Sequence, residues 1–94
     1  NADAKPVDLT VEVAPLPQAL FPALKESCAA ALTDALNASA VGEKRRLGAL
    51  IHRLWQATGL ENCRILSPAA DVEADEDEVI RPGTITVNQM GVST

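Results

Sequence analysis

The residues best suited to chemistry are acids, because six carboxylates fall within the eight residues from Asp71 to Glu78. Carboxylates at this density suggest calcium binding, since Ca²⁺ prefers oxygen ligands, or acid–base catalysis. An EF-hand loop counted from Asp71 requires glycine at its sixth position, where Glu76 stands. Catalysis requires a pocket that removes a carboxyl from water, whereas so many neighbouring acids indicate a solvated segment. The run therefore predicts a loop that faces solvent or a partner, and a calcium-tuned surface module is kept as an alternative.

Other chemically reactive residues stand alone in the sequence. His52 is the only histidine, and it has no Cys, Asp or Glu at ligand spacing, which favours a helix-flank position over catalysis. The four serines lack a Gly-x-Ser-x-Gly frame. The chain also has neither a Gly-x-Gly-x-x-Gly fingerprint nor a Walker-type phosphate loop. We expect no enzymatic activity, no cofactor and no metal site.

The two cysteines are predicted to be part of the core. Cys28 falls on a helical apolar stripe and Cys63 on an inward strand position, where a thiol behaves as a small apolar group. Two scattered cysteines make no disulfide framework or metal site, although a single disulfide between them stays open.

Composition limits the classes of partner. The net charge of −5 argues against nucleic acid, because phosphate binding needs a basic face. Only Phe21 and Trp55 are aromatic, which disfavours a stacking site for bases or flat cofactors. No apolar run approaches 18 residues, so the sequence indicates no membrane span.

Basic residues gather before and within the second predicted helix, opposite in sign to the acidic run. They are Lys44, Arg45, Arg46, His52 and Arg53. One interpretation is two independent solvated faces. The other is a pair of complementary patches that meet within an oligomer or against a neighbouring subunit.

Hydrophobic periodicity predicts three strands and two helices. Apolar residues alternate from Val7 to Val13, as in a strand with one buried face, and Pro15 and Pro17 end it. Steps of three and four residues predict a helix from Phe21 to Leu36 and another from Leu47 to Trp55, the latter ended by Gly59. Strands follow at 62–66 and 84–87, with Pro82-Gly83 as a turn.

These elements predict an α+β fold of order β-α-α-β-β. A two-helix hairpin packs on one face of a small three-stranded, mainly antiparallel sheet. The first two strands are antiparallel, and the position of the third is open because a connector of about fifteen residues allows either edge. Residues 6–88 are expected to form one domain, residues 1–5 a disordered N-terminus or expression scar, and residues 89–94 a flexible tail. The abrupt start suggests that the sequence is a fragment of a longer chain.

The order and spacing of several segments resemble the C-terminal domain of baseplate J-like proteins, wedge components of contractile phage tails. The first strand, Pro6–Val11, is followed by two helices and then by Gly59-Leu60. A strand then runs into the step Ser67–Val72, and the last strand reads Gly83–Val87. The resemblance covers the chain from about Val7 to Val87.

The resemblance implies a structural component of a phage or prophage tail baseplate, a wedge assembly module without catalytic residues. Its expected partners are other baseplate wedge or hub subunits or further copies of the chain, with no nucleic acid and no membrane. Its expected location is the virion tail baseplate, and the host bacterial cytoplasm during assembly. The candidate partner-facing residues are Asp75, Glu76, Asp77, Thr84, Thr86, Arg45 and Arg46.

One alternative function is a small-molecule-binding regulatory domain of the ferredoxin-like or ACT-like type. Such domains use glycine-rich strand-to-helix loops at the ligand interface. The corresponding segment here, residues 14–17, reads Ala-Pro-Leu-Pro, which disfavours this alternative.

Overall fold

The computed structural model describes residues 3–91 and contains the five predicted elements in the predicted order. The bounds are β1 Asp3–Pro15, α1 Phe21–Asn37, α2 Leu47–Leu54, β2 Leu60–Ser67 and β3 Glu78–Gln89. The predictions that lie beyond these residues, the expression scar Asn1-Ala2 and the end of the tail at 92–94, fall outside the described part.

The sheet is mixed, with strand order β2-β1-β3. β1 pairs with β2 in the antiparallel sense, as predicted, and with β3 in the parallel sense. The expectation of a mainly antiparallel sheet is thus corrected to one pair of each kind. The reason lies in the connector: residues 68–77 carry the chain back to the start of β1, so β3 begins opposite Asp3 and runs alongside β1.

One face of the sheet and the two helices enclose the core. The inward side chains of β1 are fully or nearly fully buried: Val7, Leu9, Val11 and Val13. α1 lies mainly over β3 and α2 over β2. The helices contribute the buried side chains Leu24, Cys28, Leu32, Leu36, Leu50 and Leu54. Burying each leucine stabilises the fold by about 1.5–3 kcal/mol, so the helix layer is required for this small sheet to persist.

The start of α1 lies at the residue predicted from the sequence, whereas the end of α2 differs from the prediction. α1 begins at Phe21 with Pro22 in its first turn, where the missing N–H costs nothing. α2 ends at Leu54, and Trp55, predicted on the buried stripe, is 49% exposed. Gly59 lies five residues beyond the helix, in the turn before β2, where its φ of +90° favours glycine.

β3 is longer than predicted, because it begins at Glu78 and contains Pro82-Gly83 within it. The pairing of β1 with β3 shifts register between Val7 and Leu9 of β1, where β3 has one extra residue. A β-carbon on Gly83 would collide with the Asp8 carboxylate, which instead accepts a hydrogen bond from the Thr84 N–H at 2.8 Å. The predicted turn is therefore a bulge inside the strand.

β1 begins earlier than predicted. Residues 3 to 5, predicted to lie outside the domain, pair with residues 78 to 80 of β3. At the other end, β3 stops at Gln89, and the Met90 N–H still donates to the Val13 carbonyl at 2.7 Å.

Candidate interaction surfaces

The connector between β2 and β3 is attached to the start of α2. Arg45 and Val72 exchange two backbone hydrogen bonds, of 2.9 and 2.8 Å, in an isolated antiparallel bridge. The Asp71 carboxylate accepts a bond from the Leu47 N–H at 2.8 Å, and Val72 is buried. Since the N-cap residue Arg46 offers no side-chain acceptor, Asp71 satisfies an N–H that the helix itself leaves unpaired.

The basic and acidic segments meet within one chain. The Lys44 ammonium lies 3.8 Å from the Glu73 carboxylate, and the Arg46 guanidinium lies 4.0 Å from that of Asp71. The Lys5 ammonium also donates to the Glu73 carbonyl at 2.6 Å. The two segments thus meet in part within one chain, an arrangement that neither interpretation of the sequence gave, while Arg53 and the acids at 75–77 are in none of the ion pairs within residues 3–91.

The Arg45 side chain contacts two residues of the loop between α1 and α2. Its side chain is 19% exposed, its Nε donates to the Ser39 hydroxyl at 2.7 Å, and its guanidinium lies 3.7 Å from Glu43. Ser39 is buried, and its carbonyl accepts a bond from Arg81 at 3.1 Å. Of the two candidate arginines, Arg46 is the accessible one, with 69% of its side chain exposed.

Asp75, Glu76 and Asp77 form an exposed turn, here named the acidic tip. The Asp75 N–H donates to the Glu78 carboxylate at 2.8 Å, and the Glu78 N–H returns a bond to the Asp75 carbonyl at 2.9 Å. Two further backbone bonds hold it, from Gly42 to Glu78 at 2.7 Å and from Asp3 to Asp77 at 2.8 Å. Within residues 3–91, no ion pair involves the three tip carboxylates.

Thr84 and Thr86 lie on the sheet face that the helices leave uncovered, here named the open face. Thr86 pairs with Thr10, and both side chains point away from the buried residues of β1. At the centre of this face, the Arg64 guanidinium contacts the Glu12 carboxylate at 2.5 Å. Leu66, 45% exposed, adds an apolar side chain. In the sequence, the polar residues that alternate with the apolar residues of β1 indicated a solvent-exposed sheet face. This alternation did not reveal the Arg64–Glu12 pair.

The acidic tip and the two threonines are separate surfaces. A strand rises about 3.3 Å per residue, so Thr86 lies roughly 25 Å along β3 from Glu78. The seven candidate residues therefore divide among the segment before α2, which holds Arg45 and Arg46, the acidic tip and the open face. Whether any of them contacts a partner stays a prediction.

β3 is an edge strand with a partly protected edge. Gly42 and the Arg81 side chain bond to the carbonyls of Glu78 and Ile80, which covers its first part. Beyond Pro82, β1 is its only strand neighbour among residues 3–91. Val87 is nonetheless 2% exposed beneath α1, so the accessible part of this segment is its open-face side.

Both cysteines are free thiols in the structure. Cys28 is fully buried and Cys63 is half-buried, and Cys63 faces inward with Ile65 as predicted. Burial raises the pKa of the Cys28 thiol to about 11, and the nearby Cys63 adds to the increase. Burial also raises the pKa of Cys63. Because a protonated thiol is a poor nucleophile and metal ligand, the pair has the character of core residues.

The described residues contain no metal-binding group of side chains. No three His, Cys, Asp or Glu residues of the segment 3–91 are placed so that they could hold a metal ion. His52 is exposed on α2, 3.4 Å from the Gln56 amide nitrogen. Neither α1 nor α2 combines the length and hydrophobicity that crossing a lipid bilayer requires.

A shallow groove, here named the α1 groove, runs between α1 and the turn from α2 to β2. Its apolar part, about 450 Å³, includes Leu16, Leu20 and Ala23. Its polar part, about 370 Å³, includes Asp34 and Arg53. The two parts share Ser27 and Thr58, so they are continuous. The sequence did not reveal this groove, because it depends on where the α2–β2 turn lies against α1.

The domain has two layers around a buried core, a polar open face and an acidic turn held by backbone hydrogen bonds. The family model for the C-terminal domain of baseplate J-like proteins matches residues 7–88. The chain belongs to this family. As a baseplate J-like C-terminal domain, it has a structural role in the phage tail baseplate, where it interacts with other tail proteins. No curated protein gives a significant match to this baseplate J-like chain.

Proposed function

We propose that this domain is a wedge assembly module that binds neighbouring wedge or hub subunits through its open face and its acidic tip, without catalytic activity. The observation that carries the proposal is the asymmetry of the sheet. The inner face of β1 is buried, whereas Thr10, Thr86 and the Arg64–Glu12 pair lie on the face that α1 and α2 leave uncovered. A polar sheet face with one exposed apolar side chain, Leu66, suits a contact between preformed subunits.

The acidic tip adds a second contact of defined position. Four hydrogen bonds fix its backbone, so its three carboxylates project from a rigid turn. A rigid charged turn loses little conformational entropy on binding, and its charge steers a basic partner surface into register. The proposed assembly takes place in the host bacterial cytoplasm before the baseplate becomes part of the virion.

The small-molecule alternative has less support. The strand-to-helix junction that a regulatory domain would use forms the apolar part of the α1 groove. Ligand sites usually combine an apolar pocket with several convergent polar groups. Leu16, Ala19, Leu20 and Ala23 dominate this part of the groove, which favours a protein contact over recognition of a polar metabolite.

The proposal is tested in the parent phage or prophage with the full-length protein. Two variants target the two surfaces: the acidic tip reversed to lysine at residues 75–77, and the open face blocked by Thr86→Arg. We expect each to reduce the yield of particles with complete baseplates seen by electron microscopy. Glu61→Lys, a charge reversal of an exposed residue on β2, is the control and is expected to leave particle yield unchanged.

Normal particle yield with both the tip and the open-face variants, in protein that remains folded, would reject the proposal. A catalytic activity of the purified chain on a small substrate would also reject it.

A further inference from the structure

Beyond its bulge, β3 directs part of its backbone away from β1. The N–H groups of Thr84 and Met90 both donate to acceptors on β1, so the even-numbered residues of this stretch face that strand. Backbone groups of successive residues point to opposite edges of a strand. The odd-numbered residues therefore direct their N–H and C=O groups to the outer edge, where no strand of residues 3–91 lies. These residues are Ile85, Val87 and Gln89.

The other margins of the sheet are covered or irregular. Gly42 and the Arg81 side chain cover the first part of β3. β2, the opposite edge, pairs regularly with β1 only from Asn62 to Ile65, because a register shift follows at each end. Irregular pairing and charged side chains keep natural sheet edges from pairing with other chains. In contrast, β3 from Thr84 to Gln89 is uncharged, and its pairing with β1 is unbroken from Ile85 onward.

The position of α1 restricts which strand can pair with this edge. α1 lies mainly over β3. Neighbouring strands are about 4.8 Å apart, whereas the axes of packed helices are about 8–10 Å apart. A second copy that paired its own β3 with this one would bring its α1 into collision with the first α1. The edge therefore fits an extended segment that carries no helix above it.

The side chains along the edge indicate the composition of that segment. On the helix side of the sheet, Val87 is buried and Ile85 is partly buried. A charge placed beside them beneath α1 would lose its hydration without gaining a partner. On the other side, Thr84 and Thr86 are exposed. A matching segment alternates uncharged, mainly apolar residues toward α1 with polar residues toward the open face.

We propose that an extended segment of another protein binds this edge as a fourth strand, through hydrogen bonds to the outward backbone groups of Ile85, Val87 and Gln89. The segment enters from the open-face side, because α1 covers the opposite side. This mode of recognition is β-strand addition, in which the main chain supplies the contact and alternate side chains supply the selectivity. The inference rests on the proposed assembly function and specifies how one partner is held.

The first test is hydrogen–deuterium exchange of the unmodified full-length protein, free and in assembled particles, resolved to single residues by fragmentation mass spectrometry. On assembly, exchange at the amides of Ile85, Val87 and Gln89 should slow about tenfold or more. The amides of Thr86 and Asn88 already face β1 and should change less. Equal changes in the two sets, or no change in the odd-numbered set, would overturn the proposal.

The second test removes one outward N–H at a time in the parent phage. Ile85→Pro and Gln89→Pro delete the donor, whereas the matched controls Ile85→Ala and Gln89→Ala shorten the same side chain and keep it. Each proline variant should lower the yield of complete particles about tenfold relative to its alanine control. Circular dichroism of the purified proteins verifies folding. Equal yields for folded proline and alanine variants would exclude strand addition. If the proline variants do not fold, the exchange measurement decides.

The identity of the partner is tested with a photo-cross-linking amino acid placed at Gln89 in the assembled particle. A cross-link to an extended segment of another tail protein supports the proposal, and a cross-link to a second copy of this chain overturns it. The proposed function is judged separately by the open-face and acidic-tip variants. If Thr86→Arg reduces particle yield while the proline and alanine variants give equal yields, the assembly function stands and strand addition is rejected.

Discussion

Asp71 and Leu47 are joined across 24 residues of sequence by a 2.8 Å hydrogen bond from the Leu47 N–H to the Asp71 carboxylate. Through this bond a residue of the connector caps a helix that has no side-chain cap of its own. The Arg45–Val72 bridge next to it brings the acidic segment and the basic segment together. One short contact region thus sets the path of the chain between the second and third strands.

Replacing Asp71 by alanine should destabilise the domain by about 1 kcal/mol, as loss of a helix cap does elsewhere. Asp71→Asn keeps an acceptor and should lose only part of this stability. Urea denaturation followed by circular dichroism measures both. Glu76→Ala, in the exposed tip without an ion pair, is the control and should change the free energy of unfolding by less than about 0.5 kcal/mol. Equal effects of the Asp71 and Glu76 substitutions would contradict the capping role.

Gly83→Ala should destabilise the domain by about 1–3 kcal/mol, because the added β-carbon collides with the Asp8 carboxylate and the Val7 backbone. Gly48→Ala is its matched control in α2, where nothing apart from the adjoining residues and the backbone of the helix itself lies within 4 Å of the new β-carbon. That substitution should stabilise the protein by about 0.5–1 kcal/mol, since alanine favours the helix. Thermal denaturation of the two variants should therefore show shifts of opposite sign, and a Gly83→Ala protein as stable as the parent would refute the bulge geometry.

Leu54→Ala should cost about 2–5 kcal/mol, because the side chain is fully buried among core residues. Trp55→Ala, one residue later, removes a larger side chain that is 49% exposed and should cost less than Leu54→Ala. Chemical denaturation measures the difference. The reverse order would mean that the helical stripe continues through Trp55, as its spacing in the sequence suggested.

Cys28 should make the stability fall at high pH. Its folded pKa of about 11 lies above the ordinary value of 9.0, so the unfolded chain loses this proton first as the pH rises. The protonated Cys28 thiol therefore contributes to the free energy of unfolding. This contribution is fully present below pH 9 and is lost between about pH 9 and pH 11. Denaturation curves across that range should show a steeper decline for the parent than for Cys28→Ala. Parallel declines would exclude ionisation of Cys28 as the cause.

The thiols should also differ in reactivity. Half-buried Cys63 should react with iodoacetamide before fully buried Cys28, which should react only when the domain opens. Mass spectrometry of peptides after timed alkylation measures the two rates.

Local periodicity was sufficient for the elements that carry a clear pattern. The alternation from Val7 to Val13 and the stripe that begins at Phe21 were predicted from the sequence and are confirmed. β3 was predicted too short because Val79 and Ile80 stand between acids and a Pro-Gly pair, which together are typical of a turn. At the bulge the Asp8 carboxylate, distant in sequence, accepts a hydrogen bond from the Thr84 N–H, a contact that the local pattern does not reveal.

The interaction surfaces were less predictable, because they depend on contacts between distant segments. The charges of Lys44 and Glu73 were visible in the sequence, but their pairing within one chain requires the path of the connector. Arg53 looked like one more basic residue of the second helix, and its place in the same groove as Asp34 follows only from the packing of α2 against α1. The parallel direction of β3 likewise follows from where the connector crosses.

The parallel pairing of β1 and β3 has a mechanical consequence. Asp3 begins β1 at one end of the ladder, and Gln89 ends β3 at the other, in a domain 46 Å long and about half as wide. A pulling force applied between these two residues would slide one strand past the other and load the whole row of hydrogen bonds simultaneously. Strands arranged in shear resist extension better than strands that peel apart bond by bond. Within a baseplate, this domain would therefore be a stiff link between residues 3 and 89.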